Sequence, residues 1–143
     1  MPNRITPKEA AALLEQGYAY VDVRSIPEYE QGHPRGARNV PFMHAEAGRM
    51  VLNPEFMAVM EGLFAKDARI VVGCKSGGRS LQAATLLERI GYKGVVDMRG
   101  GFDAEANPHT GEISLLGWSR EGLPVETTTP GGSYAELRAS LKK

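Results

Sequence analysis

The feature that most constrains the fold is an alternation of strand and helix patterns along the chain. Apolar segments rich in β-branched or aromatic residues, typical of buried strands, occur at 18–23, 70–72 and 95–96. Apolar residues at helical spacing fill the segments 54–65 and 80–90. Parallel strands need a long, usually helical, connection. The alternation therefore predicts an α/β domain with a largely parallel sheet.

Shorter patterns complete the N-terminal half. Thr6, Pro7 and Glu9 form a capping-box pattern that begins a helix, and Gly17 ends it. Residues 27–31 predict a short helix that stops at Gly32, and residues 37–42 predict a short strand or extended segment.

The C-terminal third is less regular. Residues 102–117 predict a loop with one apolar patch, and residues 127–132 predict a flexible joint. The capping-box pattern of Ser133 and Glu136 predicts a short terminal helix that docks on the core or frays. We therefore divide the chain into a domain at 1–126 and a joint with a helix at 127–143.

Composition excludes several classes of function. The chain has 143 residues, the size of one domain, and its 17 basic residues balance its 17 acidic residues. No net charge favours nucleic acid or an anionic membrane, and the apolar runs are too short to span a bilayer. Residues 1–6 lack the apolar core of a signal peptide. The chain has one cysteine, which fits a reducing compartment, so we expect a cytoplasmic protein.

That cysteine lies in the segment with the clearest chemistry. It follows the predicted strand 70–72, at the sheet edge where open α/β sheets bind ligands. Glycines let backbone N–H groups converge on an anion, and a helix that begins near residue 80 adds its dipole. Two neighbouring cations also favour a thiolate. We expect a nucleophilic Cys74, with sulfur or an anionic donor bound by Lys75, Ser76, Gly77, Gly78, Arg79 and Ser80.

The same segment resembles a known family. The sequence CKSGGRS at 74–80 is similar to the active-site loop of rhodanese domains, Cys-x-x-Gly-x-Arg-Ser. The resemblance extends over roughly residues 3–125. Its other matching pieces are Asp-Val-Arg at 22–24, Glu-Tyr at 28–29, Gly-His at 32–33, Gly-Ala at 36–37, Val-Pro at 40–41, Gly-Gly at 100–101 and Gly-Leu-Pro-Val at 122–125. Two features depart from the pattern: Pro34 replaces a branched aliphatic residue, and 102–117 is longer than the usual link.

The resemblance implies a rhodanese-like fold, a roughly five-stranded, mainly parallel sheet flanked by helices on both faces. It also implies a sulfurtransferase that carries sulfur as a persulfide on Cys74, from thiosulfate or a similar donor to a thiophilic acceptor such as cyanide, a thiol or a protein. No cofactor is needed, because the protein itself carries the sulfur. The side chains of Asp22, Arg24 and Glu28 are expected to form ion pairs that support the loop. His33 is expected to stabilise a turn.

The sequence also bears on partners and alternatives. A chain with one cysteine has no resolving thiol, so the acceptor must be external. Three scattered histidines predict no metal site, and we expect a monomer or weak dimer. Related phosphatases carry five residues between cysteine and arginine, whereas four separate Cys74 from Arg79, which suits sulfur better than phosphate. An arsenate reductase or phosphatase and a non-enzymatic sulfur-carrier or regulatory module remain the alternatives.

Overall fold

The structure, a computed structural model, describes residues 2–142 of the chain. Its helices are α1 Pro7–Glu15, α2 Ile26–Gln31, α3 Phe56–Leu63, α4 Gly78–Arg89 and α5 Tyr134–Ser140. Its strands are β1 Asn3–Ile5, β2 Ala19–Asp22, β3 His33–Pro34, β4 Arg38–Asn39, β5 Met43–Glu46, β6 Arg49–Leu52, β7 Arg69–Gly73, β8 Gly94–Met98, β9 Ala104–Ala106, β10 Ile113–Leu116 and β11 Val125–Glu126.

A five-stranded sheet forms the centre of the fold, with the strand order β1-β8-β7-β2-β4. All four neighbouring pairs are parallel. The strands β7 and β2 therefore lie side by side, and their carboxyl ends reach the same edge. The predicted α/β fold with a parallel sheet is confirmed.

Helices cover both faces of this sheet, as expected. Because successive side chains of a strand point to opposite faces, Ile70 and Val72 enter one core and Val71 enters the other. The first core is closed by α3, α4 and α5, and the second by α1 together with Trp118. The first core thus holds α4, whose N-terminal turn follows the end of β7 closely in the chain.

Two hairpins depart from the sequence-based expectations. The segment 102–117, predicted as a loop, contains the antiparallel pair β9 and β10, so that prediction is wrong. Its turn is closed by the side chain of Asn107, which accepts hydrogen bonds from the backbone N–H groups of His109 and Thr110. The hairpin of β5 and β6 was not predicted, because its turn places Ala47 rather than the usual Asn or Asp at a positive φ of 49°.

The C-terminal helix docks on the core. Ser133 caps α5 through the predicted capping box. Tyr134 and Leu137 are buried in the same core as α3 and α4, and the Tyr134 hydroxyl accepts a hydrogen bond from the Asn53 side-chain amide. Burial of two apolar side chains favours docking by a few kcal/mol, roughly 25 cal/mol per Å² of apolar surface. The flexibility of residues 127–132 stays a prediction.

Candidate active site around Cys74

Cys74 follows β7 directly and lies at the carboxyl edge of the sheet. Its side chain is almost completely buried, with 1% exposed. The Sγ atom accepts a hydrogen bond from the backbone N–H of Gly77 at 3.1 Å, and it lies 3.4 Å from the Ser80 hydroxyl oxygen. Gly77 has a φ of 110°, a left-handed conformation that allows its N–H to turn toward the sulfur. The short loop thus folds back on the cysteine.

The other predicted loop residues surround this sulfur without all contacting it. Gly78 begins α4, so the start of a twelve-residue helix lies beside the cysteine. Ser80 is fully buried and also donates a hydrogen bond to the Gly77 carbonyl oxygen at 3.3 Å. Lys75 and Ser76 are exposed. The loop and the helix dipole together place partial positive charge around a buried sulfur, an arrangement that favours an anion there.

Arg79 is not free to point at a ligand, because it is paired with Glu28. Its two terminal nitrogens donate to the two carboxylate oxygens at 2.7 and 3.0 Å. Burial alone would raise the pKa of Glu28, but the hydrogen bonds from Arg79 and Ser25 lower that pKa to about 2. The pair joins α2 to α4 across the site.

Asp22 and Arg24 form a second, buried ion pair. Arg24 Nη2 lies 2.7 Å from Asp22 Oδ2 and donates to the Gly32 carbonyl oxygen at 2.6 Å. Its guanidinium also lies over the Phe102 ring, 4.4 Å from the ring centre. Arg24 therefore ties the end of β2 to the C-terminal end of α2 and to the segment before β9. Beside it opens a cleft of about 280 Å³, lined by Arg24, Glu28, Gln31, Gly32, Lys75, Phe102, Asp103 and Ser119.

His33 faces a different part of the molecule. Its ring stacks on Tyr29 with 3.7 Å between centres, and Nδ1 lies 2.8 Å from the Tyr29 carbonyl oxygen. Its Nε2 lies 2.8 Å from the Thr129 hydroxyl, which in turn hydrogen-bonds Glu126. His33 thus joins α2 to the chain segment that leads to α5, and these contacts do not involve Cys74.

The segment after Gly101 packs tightly against the backbone of the cysteine loop, a contact that was not predicted from the sequence. Phe102 and Asp103 donate backbone N–H groups to the carbonyl oxygens of Cys74 and Lys75, at 2.6 and 2.9 Å. A Cβ atom at Gly101 would lie 2.5 Å from each of those two oxygens. The glycine pair at 100–101 is the sequence signal for this close approach. Gly117 and Trp118 donate to Asp103 and Gly101, and close the base of the β9–β10 hairpin there.

Arg4 and Asp97 are two further residues near the loop that the sequence reading did not single out. They face each other across the β1–β8 pair, and Arg4 Nε donates to Asp97 Oδ2 at 2.7 Å. Arg4 Nη2 lies 3.5 Å from the Gly77 carbonyl oxygen. No local motif marks this pair, since the two residues are 93 positions apart.

The described residues include no cluster of three or more His, Cys, Asp or Glu side chains that could hold a metal ion. Between residues 2 and 142, no helix has both the length and the apolar character needed to cross a membrane.

Comparisons with known proteins identify the family of this fold and site. The profile described as Rhodanese-like domain matches residues 6–107, so the chain belongs to the rhodanese-like domain family. The chain is 38% identical over 126 residues to "Thiosulfate sulfurtransferase 16, chloroplastic" of Arabidopsis thaliana, covering 88% of this chain and 94% of that protein. It is 34% identical to "Thiosulfate sulfurtransferase GlpE" of Haemophilus influenzae, covering 88% and 96%.

Solved structures agree on the fold. The crystal structure of Rv0390 from M. tuberculosis superposes with a TM-score of 0.73 at 24% identity, over 88% of this chain and 98% of that one. The predicted rhodanese-like fold is therefore confirmed.

Proposed function

We propose that the protein is a sulfurtransferase that transfers the outer sulfur of thiosulfate to a thiophilic acceptor through a persulfide on Cys74. In the first step the Cys74 thiolate attacks the outer sulfur, a sulfur–sulfur bond forms, and the sulfur–sulfur bond of thiosulfate breaks with its electron pair leaving on sulfite. In the second step a nucleophile attacks the terminal sulfur and the thiolate is restored. Cyanide would leave as thiocyanate, and a thiolate would leave as a persulfide.

The observation that carries this proposal is the N–H of Gly77 directed at Cys74 Sγ, within a loop that closes on the start of α4. This group and the helix dipole stabilise negative charge, which the sulfur carries both as a thiolate and as a persulfide. The relatives named thiosulfate sulfurtransferases, at 34% and 38% identity, support the same reaction class. Backbone N–H groups in residues 75–80 are proposed to hold the terminal sulfur.

The geometry favours sulfur over phosphate or arsenate. A phosphatase arginine must bind the oxygens of its substrate, whereas both terminal nitrogens of Arg79 already bind Glu28. The four residues between Cys74 and Arg79 also make a narrower ring than the five of the related phosphatases. We therefore assign Arg79 a bracing role, and assign donor attraction to the exposed cation of Lys75 at the cleft.

Further parts of the proposal rest on the single cysteine. The acceptor is external, whether cyanide, a small thiol or a protein thiol, because the chain offers no second cysteine. The persulfide is covalent, so no resident cofactor is required. We further propose a reducing compartment such as the cytoplasm, and a monomer or weak dimer that binds neither nucleic acid nor membrane. The relatives in Arabidopsis include proteins named as chloroplastic.

The test is an intact-mass measurement. The reduced protein is incubated with thiosulfate, the excess is removed, and its mass is recorded before and after addition of cyanide. We expect a gain of one sulfur atom that cyanide removes as thiocyanate, and no gain in Cys74→Ser, because serine cannot form the persulfide. Ser140→Ala, a change at an exposed side chain of α5 outside the cysteine loop, serves as the control and should still gain the sulfur.

Two results would contradict the proposal. A sulfur gain retained in Cys74→Ser would place the carrier elsewhere. If the mass does not increase although Cys74 still reacts with iodoacetamide, thiosulfate is not the donor. Reduction of arsenate by the same sample, with a thiol added, would favour an arsenate reductase.

A further inference from the structure

Asp97 is a fully buried carboxylate beside the proposed persulfide loop. It lies on β8, opposite Val72 of β7 in register, and is therefore close to the end of the strand that Cys74 follows. Arg4 Nε binds one of its oxygens, Oδ2, at 2.7 Å. Its other oxygen, Oδ1, is buried and has no hydrogen-bond partner in the part of the chain that the structure describes. Burial raises the pKa of Asp97, while Ser80 and Arg4 oppose that rise.

A buried carboxylate at this position would oppose an anion on Cys74, since like charges disfavour each other. The positive charge of the Arg4 guanidinium offsets this repulsion between Asp97 and the anion. The side chain of Arg4 is about one-third exposed, whereas that of Asp97 is fully buried. Solvent and salt therefore screen the charge of Arg4 more than that of Asp97. Arg4 lies outside the residues that match the family profile, and its role cannot be read from that match.

Arg4 also reaches the loop itself. Its Nη2 lies 3.5 Å from the Gly77 carbonyl oxygen, and a Cβ atom at Gly77 would lie 3.2 Å from the same nitrogen. The N–H of Gly77 points at Cys74 Sγ, and its carbonyl oxygen also accepts from the Ser80 hydroxyl. When the thiol ionises, the Ser80 hydroxyl can donate to the sulfur instead. The carbonyl then keeps its contacts with Arg4 and with the backbone N–H of Leu81.

We propose that Arg4 and Asp97 are positioning residues, a charge-balanced pair that orients the Gly77 peptide and sets how readily Cys74 ionises. The pair acts through Gly77 and Ser80 and touches neither the sulfur nor a donor. Its importance for sulfur transfer rests on the function proposed above, whereas its effect on the cysteine does not. Among residues 2–142, other groups that interact electrostatically with Cys74 or Asp97 include Tyr20 from β2, Arg79 from α4 and Glu105 from β9.

The test measures the rate at which iodoacetamide alkylates Cys74 as a function of pH, because only the thiolate reacts. Asp97→Asn keeps the size of the side chain and an oxygen for Arg4, but leaves the guanidinium uncompensated. We expect the midpoint of the pH profile to fall by about one pH unit, in the range produced by a nearby opposite charge. Arg4→Met with Asp97→Asn removes both charges, and we expect the midpoint to return to within about 0.3 pH units of the original value.

Arg138→Met is the matched control, since Arg138 forms an ion pair of similar length with Glu55 and has similar exposure, far along the chain in α5. Its profile should be unchanged. An unchanged or raised midpoint in Asp97→Asn, or a double variant that matches Asp97→Asn, would overturn the proposal. A change in stability alone, measured by thermal melting without any change in midpoint, would also overturn it. Alkylation needs no sulfur donor, so a wild-type protein that fails to load sulfur refutes the proposed function without affecting this result.

Discussion

Gly101→Ala is the perturbation that most directly tests how the cysteine loop is held. Gly101 has a φ of 58°, where an alanine costs about 1–2 kcal/mol. The added methyl group would lie 2.5 Å from the carbonyl oxygens of Cys74 and Lys75, whereas carbon and oxygen atoms normally stay about 3.3 Å apart. The backbone must therefore move by several tenths of an ångström, and forced overpacking of this kind costs about 1–3 kcal/mol more. We expect a total loss of about 3 kcal/mol in the free energy of unfolding.

Gly111→Ala is the matched control for the backbone conformation. Gly111 has a φ of 74°, and nothing lies within 4 Å of a Cβ atom there. Alanine at this position in the turn of the β9–β10 hairpin should lower the free energy of unfolding only by the cost of its left-handed backbone conformation, about 1 kcal/mol. The difference of about 2 kcal/mol between the variants therefore measures the close approach of the 101–103 segment to the loop.

Urea unfolding followed by Trp118 fluorescence is a suitable assay, because this is the only tryptophan and it is buried. At an m-value of about 2 kcal/mol per M urea, the two midpoints should differ by about 1 M. Sulfur loading should also fall in Gly101→Ala, because the displaced segment supplies the N–H that binds the Cys74 carbonyl oxygen. Equal destabilisation of the two variants, within about 0.5 kcal/mol, would refute the argument.

Two further predictions concern the ion pair at the site and the histidine away from it. Because the pKa of Glu28 is lowered to about 2, its ionised form stabilises the fold above about pH 4.5, and this stabilisation is lost as the pH falls through about 2. Glu28→Gln should lose about 2 kcal/mol of unfolding free energy at pH 7 and little at pH 2 in urea titrations, and a loss independent of pH would contradict this. Thr129→Val should cost about 1–2 kcal/mol by leaving His33 Nε2 without its partner, with sulfur loading unchanged. A slower loading step in that variant would instead connect His33 to Cys74.

The parts of the site that could be predicted are those encoded in one continuous segment. The apolar strand before Cys74, the glycines after it and the helix from Gly78 are neighbours in sequence, so their arrangement follows from local preferences. Asp22, Arg24 and Glu28 were predicted as an ion-paired group, but the partner of Glu28 proved to be Arg79, 51 positions away. Such pairs depend on how β2 and β7 align in the sheet, which no local pattern states.

The missed elements were too short or too weakly marked. The strand β1 has three residues with one apolar side chain among them, so neither alternation nor composition indicates it. Its place beside β8 is what brings Arg4 to the loop. The turn of the β9–β10 hairpin depends on an Asn107 side chain that bonds its own backbone, a signal that occurs equally in irregular loops.

The charges around Cys74 are arranged so that the sulfur depends on backbone groups more than on free cations. Each arginine near the loop is matched by a carboxylate: Arg24 by Asp22, Arg79 by Glu28 and Arg4 by Asp97. Within residues 2–142, Lys75 is the exposed cation of the cleft and lies in no ion pair. In each proposed cycle the outer sulfur is bound as a persulfide and then passed to the acceptor, and a site that stabilised the persulfide anion too strongly would slow the second step. Balanced ion pairs fix the loop without adding net attraction, and leave the helix start and the Gly77 N–H to stabilise the anion.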